Sequence, residues 1–254
     1  MNILYFCVRK SKQIMERREF LYEGKAKQLY DTDDPNLIII LYKDDATAYN
    51  GVKRSSIRNK GILNNRITEL IYIYLERKGI KTHFVKRLND HTQLCKKLDT
   101  IPLEFIVRNV IAGSLSRRLD IEEGTVPKET IYELCYKNDQ LRDPFINKTH
   151  ALALGIISAE ELERATALCK EINQLLIELF DKVGIIVVDF KIEFGKDKEG
   201  NIVLADEISP DSARFWDKET KKKLDKDRFR KNLGQIEESY REVLNRLAKE
   251  INIE

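Results

Sequence analysis

The sequence predicts an α+β fold in which two lobes enclose a cleft, a mostly antiparallel β N-terminal lobe and a larger, mixed α+β C-terminal lobe. Its 254 residues are enough for one large domain or for two small ones that share a cleft. Predicted strands with one helix come first, and a mixture of strands and helices follows without the βαβ alternation of a Rossmann sheet. Neither G-x-G-x-x-G nor a Walker A sequence occurs, which argues against a dinucleotide-binding or P-loop fold.

The composition excludes several classes of protein. Lys and Arg number 45 against 42 Asp and Glu, and 42% of the residues are apolar, so neither a disordered chain nor a strongly basic nucleic-acid-binding protein is expected. No stretch approaches the roughly 20 apolar residues of a membrane helix. No C-x-x-C spacing occurs among the cysteines, which favours a cytoplasmic protein with buried, reduced thiols. The cysteines are Cys7, Cys95, Cys135 and Cys169.

The N-terminal lobe is assigned to residues 15–99 and follows an extension, residues 1–14. In that extension a short apolar run precedes the basic residues, the reverse of a signal peptide. The helix of this lobe is the clearest element, because apolar residues recur on one face and Gly79 stands at its end. The predicted elements are strands at 20–31 and 37–42, a polar loop at 43–58, a helix at 60–78, and short strands at 82–88 and 93–98.

The C-terminal lobe is assigned to residues 100–254. Its long helix is expected to start at Ser158, since Glu161 three residues later completes a capping box, and to end before Gly184. The predicted elements are a strand at 104–111, a short helix at 114–119, an acidic, loop-rich segment at 119–145, the long helix, a hairpin of strands 185–194 and 202–208, and a C-terminal amphipathic helix around 236–251.

The first candidate site lies on the hairpin. Side chains of a strand alternate between its faces, so Asp189, Lys191 and Glu193 are predicted to lie on one face, opposite apolar neighbours. The next strand ends in Asp206 and Glu207. Carboxylates from adjacent strands suit Mg²⁺, which takes one or two protein carboxylates and completes its shell with phosphate oxygens and water. The alternative is a solvated, salt-bridged strand face.

The second candidate site is the segment Glu23-Gly-Lys-Ala-Lys27. Gly24 lets the backbone approach a ligand, and Lys25 and Lys27, two residues apart, supply positive charges. This pattern suits a loop that covers phosphates. A plain basic hairpin tip is the alternative.

Two arginines mark further candidate positions. Arg108 ends an apolar strand, where an unpaired charge is costly, and Ser114 follows at the start of a helix. The pair would suit a phosphate or carboxylate, or else Ser114 is a helix cap and Arg108 is structural. Arg214 directly follows the hairpin carboxylates and could clamp an anionic substrate, whereas Trp216 is expected to pack in the core.

The histidines show neither metal-ligand spacing nor an adjoining nucleophile, and we interpret them as structural or surface residues. They are His83, His91 and His150.

Together these segments resemble the SAICAR synthetase (phosphoribosylaminoimidazole-succinocarboxamide synthase) family. The stretches TIPLEFIVRNVIAGS and VVDFKIEFG are similar to its two signature motifs. The resemblance runs from about residue 21 to residue 247. Further similar stretches, in family order, are LYEGKAKQLY, KGILNN, KNDQLRDPFIN, LADEISPDSARFWD and DKDRFR.

The resemblance implies an ATP-dependent ligase of de novo purine synthesis. Such an enzyme joins the carboxylate of carboxyaminoimidazole ribonucleotide (CAIR) to the amine of L-aspartate, giving SAICAR, ADP and phosphate. ATP would lie in the cleft between the lobes. Lys25, Ala26 and Lys27 would cover its phosphates, and Lys96 and Leu98 would meet adenine at the hinge. A cytoplasmic homodimer is also implied.

The resemblance assigns the remaining roles to the strand motifs. Glu193 and Asp206 would hold Mg²⁺, Asp189 would contact the imidazole end of the substrate, and Lys191 would stabilise charge at the reacting carboxylate. A lid at 44–58 is a candidate for binding aspartate, without assigned contacts. The ribonucleotide, chiefly its phosphate, would be bound by Arg108, Ser114 and Arg214.

Two alternatives stay open from the sequence. A small-molecule kinase with a similar two-lobed nucleotide cleft would need a base for an acceptor hydroxyl. A nucleic-acid-binding module finds its best support in residues 53–87, which hold ten Lys and Arg against two Asp and Glu. That segment lacks interleaved aromatic residues for stacking on bases, so binding to nucleic acid or to a membrane is not expected.

Overall fold

The computed structural model describes residues 17–48 and 52–252. The extension at residues 1–14, with Cys7, therefore lies outside the described residues. The strands are β1 (Phe20–Glu23), β2 (Lys27–Asp31), β3 (Leu37–Tyr42), β4 (Asp45–Ala48), β5 (Lys53–Ser56), β6 (Phe84–Arg87), β7 (Thr92–Lys96), β8 (Asp99–Arg108), β9 (Ile131–Tyr136), β10 (Phe145–Ile146), β11 (Ile185–Lys196), β12 (Ile202–Ala205) and β13 (Ala213–Asp217).

The helices fall between these strands and at the C-terminal end. A short 3₁₀ turn at Asp139–Leu141 precedes β10. The α-helices are α1 (Lys60–Arg77), α2 (Gly113–Leu119), α3 (Lys148–Ala153), α4 (Ala159–Lys182), α5 (Asp227–Arg230) and α6 (Ile236–Glu250).

The strands form three antiparallel sheets. The N-terminal sheet has the order β1-β2-β3-β7-β6, and β4 pairs only with β5. The second sheet has the order β10-β9-β8-β11-β12, and β13 pairs with β11 along the same edge as β12. Antiparallel sheets combined with helices confirm the predicted α+β class.

The main apolar core lies between the second sheet and helices α1, α4 and α6. The predicted apolar face of β11 enters it, because Phe190, Ile192 and Phe194 are each no more than 1% exposed. Burial of such side chains stabilises by roughly 1.5–3 kcal/mol each. The core therefore fixes β11 and, with it, the opposite, polar face of that strand.

Several helix ends follow the sequence prediction. The Ser158 hydroxyl accepts a hydrogen bond from the backbone N–H of Glu161, whose carboxylate accepts one from the Ser158 N–H, so the capping box is confirmed. Gly79 and Gly184 follow α1 and α4 with φ of 94° and 69°, a left-handed conformation that glycine adopts without steric cost.

Two predictions in the N-terminal half are wrong. The single strand at 20–31 is two strands, because the chain turns at Gly24–Ala26 before β2 pairs back on β1. The polar loop at 43–58 instead contains the β4–β5 hairpin. Ala46 and Ala48 of that hairpin are buried against Phe229, a tertiary contact that gives a polar segment a buried side.

Two further corrections concern the C-terminal half. The strand predicted at 104–111 starts earlier and ends earlier, at Asp99 and Arg108, and Pro102 lies within it. The segment 119–145, predicted as loop-rich, contributes β9 and β10 to the second sheet. Both faces of β9 carry apolar residues, so it lacks the alternation that would have marked it.

The predicted boundary near residue 100 coincides with the passage of the chain from one sheet to the other, since β7 ends at Lys96 and β8 begins at Asp99. Helix α1 nevertheless packs into the same core as β11 and α6. The division into two lobes stays a prediction. Among the described residues, no helix has both the length and the hydropathy to cross a membrane.

Candidate active site

Three charged residues lie side by side on adjacent strands of the second sheet. In the β8–β11–β13 ladder, Asp189 of β11 is paired in register with Arg108 on one side and Arg214 on the other. Arg108 Nη1 donates to Asp189 Oδ2 at 2.8 Å, and Arg214 Nη1 reaches the same oxygen at 2.8 Å and Oδ1 at 3.1 Å. We call Arg108, Asp189 and Arg214 the arginine cluster.

The arginine cluster is buried and its guanidinium groups are held by further acceptors. Arg108 is 2% exposed and Asp189 is 3% exposed. Arg108 Nε donates to Glu133 at 2.6 Å, and its Nη2 donates to the Ser114 hydroxyl at 3.2 Å. Ser114 does not cap α2, whose N-cap is Ala112, and its hydroxyl instead contacts the arginine cluster through Arg108. The sequence prediction that Arg108 and Ser114 lie together is confirmed.

The guanidinium of Arg214 lies between two carboxylates. Its Nε donates to Asp227 Oδ2 at 3.0 Å, whereas Nη1 is the nitrogen that contacts Asp189. Burial opposes the charge, but Asp189 and Asp227 together raise the pKa of Arg214 above its ordinary value. The predicted proximity of Arg214 to the hairpin carboxylates is confirmed.

Two residues further along β11, an ammonium group joins three carboxylates. Lys191 Nζ contacts Glu104 at 3.0 Å, Glu193 at 2.6 Å and Asp206 at 3.0 Å. Burial opposes its charge, but Asp206, Glu193 and Glu104 raise the pKa of Lys191 well above its ordinary value. The predicted common face of Asp189, Lys191 and Glu193 is thus confirmed, although the partners change along the strand from arginines to carboxylates.

A second lysine, Lys27 of β2, reaches the same group from the N-terminal sheet. Its Nζ contacts Asp206 and lies 3.2 Å from Glu207. Despite burial, the two carboxylates raise the pKa of Lys27, while Lys191 and Lys27 hold the pKa of Asp206 well below its ordinary value against the opposing effect of burial. We call Lys27, Lys191, Glu104, Glu193 and Asp206 the lysine cluster.

The chain segment that carries Asp206 connects β12 to β13 and is anchored by α1. The hydroxyl of Tyr72 donates to the carbonyl of Ala205 at 2.8 Å, and that of Thr68 donates to the carbonyl of Ile208 at 3.2 Å. At the far end of the segment, Asp211 accepts hydrogen bonds from Lys60 at 2.8 Å and from Tyr240 at 2.6 Å. These contacts fix the segment against the core.

Lys25 binds a different set of carboxylates from Lys27. It lies in the turn between β1 and β2 and contacts Asp139 at 2.7 Å and Asp143 at 3.4 Å. A cavity of about 640 Å³ opens beside this turn. In the same turn, the carbonyl of Ala26 accepts a hydrogen bond from the Lys43 N–H at 2.8 Å. The cavity is lined by Glu23, Gly24, Lys25, Lys43, Asp45, Ala46, Thr47, Arg54, Ser55 and Asp139.

The two residues predicted at the hinge lie where the chain leaves the N-terminal sheet. Lys96 ends β7, and its Nζ is 3.4 Å from the carbonyl of Thr82. Leu98 lies between β7 and β8, and its side chain is close to Gly195 of β11. Both are thus near the junction of the two sheets.

Residues 20–247 match the protein family SAICAR synthetase. The phosphoribosylaminoimidazole-succinocarboxamide synthase of Fusobacterium nucleatum is 59% identical over 235 residues, which cover 92% of this chain and 99% of that protein. The chain belongs to the SAICAR synthetase family. The enzyme of the same name from Clostridium botulinum strain Alaska E43 is 55% identical, over 92% of this chain and all of its own length.

Solved structures of SAICAR synthetases share the fold. The Ehrlichia chaffeensis protein is 47% identical with a TM-score of 0.89, over 93% of this chain and all of its own. A SAICAR synthetase in complex with ADP is 48% identical with a TM-score of 0.88 over the same shares. Membership in this family favours the ligase over the kinase that the sequence left open.

Two carboxylates of the lysine cluster have the arrangement expected of the Mg²⁺ site that the family resemblance implies. Oxygens of Glu193 and Asp206 both lie within 3.0 Å of one nitrogen, that of Lys191, so the two carboxylates converge on a single cation. No group of three or more His, Cys, Asp or Glu suited to a metal occurs in residues 17–48 and 52–252. Two convergent carboxylates fit Mg²⁺, whose remaining ligands are phosphate oxygens and water.

The sequence missed two residues that contact this cluster. Lys137 forms an ion pair with Glu193. The ring of His83 lies 3.1 Å from the carbonyl of Asp206, and burial, followed by the nearby charge of Lys27, lowers the pKa of His83 to about 4. Asp206 itself has a left-handed φ of 63°. A lone histidine 123 residues from its partner gives no sequence signal of this role.

The basic segment at 53–87 is partly neutralised by its surroundings. Lys60 is 1% exposed and binds Asp211, and Arg87 contacts Glu69 at 2.9 Å.

The predicted burial of the cysteines is confirmed for those the structure describes, which are the free thiols of Cys95, Cys135 and Cys169.

Proposed function

We propose that the arginine and lysine clusters form the active site of an ATP-dependent ligase of de novo purine biosynthesis. The enzyme joins the carboxylate of CAIR to the amine of L-aspartate and releases SAICAR, ADP and phosphate. One observation carries the proposal. On one face of β11, a carboxylate between two guanidinium groups is followed, two residues later, by an ammonium group among three carboxylates. Anionic substrates and a metal–nucleotide need such neighbouring sites of both signs.

The chemistry consists of two transfers. A carboxylate oxygen of CAIR attacks the γ-phosphorus of ATP, and the bond to the bridging oxygen breaks to leave ADP and an acyl phosphate. The aspartate amine then attacks the acyl carbon, loses a proton and expels phosphate as the amide forms. Both steps depend on positioning and charge neutralisation more than on a protein nucleophile, so the lack of a catalytic triad motif in the sequence is expected.

The arginine cluster is proposed to bind the ribonucleotide. A guanidinium has five N–H donors, and the contacts of Arg108 and Arg214 to carboxylates leave donors for an anion. With the hydroxyl of Ser114 they would bind the phosphate of CAIR. Asp189, between the two arginines, would orient them and meet the imidazole end of the substrate.

The lysine cluster is proposed to hold the metal and the reacting groups. Glu193 and Asp206 would bind Mg²⁺, which neutralises phosphate charge when bound. Lys191 and Lys27 now neutralise these same carboxylates. An added dication would replace that role and leave the ammonium of Lys191 to stabilise charge at the reacting carboxylate.

The nucleotide is proposed to lie along the N-terminal sheet. Lys25, Ala26 and Lys27 form the β1–β2 turn and the start of β2, where two positive charges and the backbone of a turn could cover phosphates. Lys96 and Leu98, near the junction of the two sheets, would contact adenine. The relative solved with ADP supports nucleotide use by this fold.

We further propose a cytoplasmic homodimer. The free, buried thiols of Cys95, Cys135 and Cys169 are consistent with a reducing compartment. The family resemblance supports the dimer.

One assay tests the proposal. The protein is incubated with ATP, Mg²⁺, CAIR and each amino acid in turn, and ADP release is followed. We expect turnover only when CAIR is present and L-aspartate is the amino acid. ADP release that requires no amino acid, or none with any amino acid, would contradict the ligase.

A further inference from the structure

Arg214 depends on a residue outside the predicted site for its orientation. An arginine side chain carries about 2 kcal/mol of rotamer entropy, so a fixed guanidinium needs restraints. Asp189 contacts Nη1 on one edge, and Asp227 accepts from Nε at 3.0 Å on another. Two carboxylates on two edges of a planar group define its plane as well as its position.

Asp227 is itself rigidly placed. It is 1% exposed, at the first residue of α5, and its backbone N–H donates to Asp225 Oδ1 at 2.7 Å. Its second oxygen, Oδ1, accepts from Arg230 at 2.7 Å. Because each oxygen has an arginine partner, the carboxylate cannot rotate without breaking an ion pair. Both carboxylate oxygens face arginines, so the group that Asp227 presents toward the site is the guanidinium of Arg214.

The third nitrogen of Arg214 lies over a residue without a side chain. A Cβ at Gly113 would overlap the guanidinium, with Nη2 the nearest atom. Gly113 immediately precedes Ser114, whose hydroxyl already accepts from Arg108. Nη2 of Arg214 is therefore directed toward the start of α2, where the proposed phosphate contacts converge.

We propose that Asp227 is a positioning residue that orients Arg214 toward the anionic group of the ribonucleotide. This inference rests on the proposed function, in which Arg214 binds that group. Asp227 would affect ribonucleotide binding through Arg214, which it contacts with Oδ2, whereas its contact with Arg230 uses Oδ1. Its contribution is therefore to ribonucleotide binding and to neither the metal nor the nucleotide.

The test is Asp227→Asn, which keeps the shape of the side chain but removes its charge and one acceptor. We expect the KM for CAIR to rise roughly tenfold, with kcat and the KM values for ATP and aspartate within about twofold of wild type. Asp217→Asn is the matched control, because Asp217 lies on β13 with Arg214 but pairs with Arg246 at 2.8 Å. We expect its KM for CAIR to equal that of wild type.

A double-mutant cycle separates positioning from a general structural role. In an Arg214→Lys background there is no Nε–H to hold, so Asp227→Asn is expected to add less than a twofold change in the KM for CAIR. An equal effect in both backgrounds would overturn the inference. So would an unchanged KM in the single variant, or a uniform loss in all kinetic parameters that follows a lowered Tm.

If Asp227→Asn does not fold, Asp227→Glu serves instead. It keeps the charge but moves the acceptor by one methylene, and we expect roughly a threefold rise in the KM for CAIR. A wild-type KM in this variant would overturn the inference. Failure of the proposed function is distinct, because it shows as a wild-type protein without aspartate-dependent ADP release.

Discussion

The arginine cluster and the lysine cluster share strand β11 but hold their charges in different ways. In the arginine cluster, planar guanidinium groups use several nitrogens at once, and Arg108 contacts two carboxylates and one hydroxyl through three of them. In the lysine cluster, a single nitrogen of Lys191 is shared by three carboxylates. A planar fork fixes geometry, whereas a compact ammonium can be replaced by another compact cation.

This difference suggests a division of work along one strand. The arginine cluster has a fixed shape that suits recognition of a phosphate. In the proposed function the lysine cluster would be an exchangeable site, in which carboxylates neutralised by Lys27 and Lys191 would instead receive Mg²⁺. The alternation of β11 brings both onto one face, while its apolar side anchors them in the core.

The largest expected effect is the loss of turnover in Glu193→Gln. The amide keeps the shape of the side chain but supplies no negative charge to Mg²⁺, so kcat should fall by at least roughly 10³. Steady-state ADP release measures it. Glu199→Gln, in the exposed β11–β12 turn, is the matched control and should be as active as wild type. Near-normal turnover in Glu193→Gln would remove the metal role from this cluster.

The second expected effect concerns the unfolding free energy and involves Asp225, which accepts a hydrogen bond from the backbone of Asp227. Burial, and then the charge of Asp227, raises the pKa of Asp225 from 3.8 to about 7. Because the folded protein binds this proton more tightly than the unfolded chain, protonation of Asp225 stabilises the fold. The stabilisation is complete below the unfolded pKa of 3.8 and is lost as the pH rises through the folded pKa of about 7. Between pH 5 and pH 8 the wild type should therefore lose about 3 kcal/mol relative to Asp225→Asn, which cannot titrate there.

Urea unfolding at the two pH values measures this difference. Titration elsewhere is common to both proteins and cancels in the comparison. A difference in unfolding free energy that does not change with pH would show that Asp225 has an ordinary pKa.

The third expected effect follows from replacing the arginine of one cluster with the type of cation found in the other. Arg214→Lys keeps the charge but loses the planar fork, and the KM for CAIR should rise roughly 30-fold while kcat changes little. An unchanged KM would place Arg214 outside the ribonucleotide site. Steady-state kinetics with CAIR varied at saturating ATP and aspartate give the value.

The smallest effect comes from Gly113→Ala. Gly113 has a φ of 58°, and Gly155 has a φ of 65° with no atom within 4 Å of an added Cβ. Backbone strain alone should cost each Ala variant about 1 kcal/mol of unfolding free energy. Only Gly113→Ala should also raise the KM for CAIR, roughly fivefold, because its Cβ displaces Arg214. Equal kinetics in the two variants would contradict the close approach of Arg214 to Gly113.

The sequence was most informative where the pattern is local. The alternation of β11 predicted the common face of Asp189, Lys191 and Glu193, because a strand repeats every two residues. The β4–β5 hairpin was missed because its burial against Phe229 comes from a residue far along the chain. In the same way, a period-two pattern was absent from β9, which has apolar residues on both faces.

The partners that orient the site could not be read from the sequence. His83 contacts Asp206 across 123 residues, and Lys137 contacts Glu193 across 56. Asp227 lies only 13 residues from Arg214, but the chain must leave β13 and turn back before α5 to bring them together. Such contacts depend on the packing of separate elements, which no short motif encodes.

Calorimetry of two ligands with two variants tests the central claim most directly. Binding of SAICAR and of ADP with Mg²⁺ is measured for wild type, Glu193→Gln and Arg214→Lys. We predict that Glu193→Gln weakens ADP in the presence of Mg²⁺ at least tenfold and leaves SAICAR within about twofold, and that Arg214→Lys does the reverse. If each variant weakened both ligands equally, the two clusters would not have separate roles.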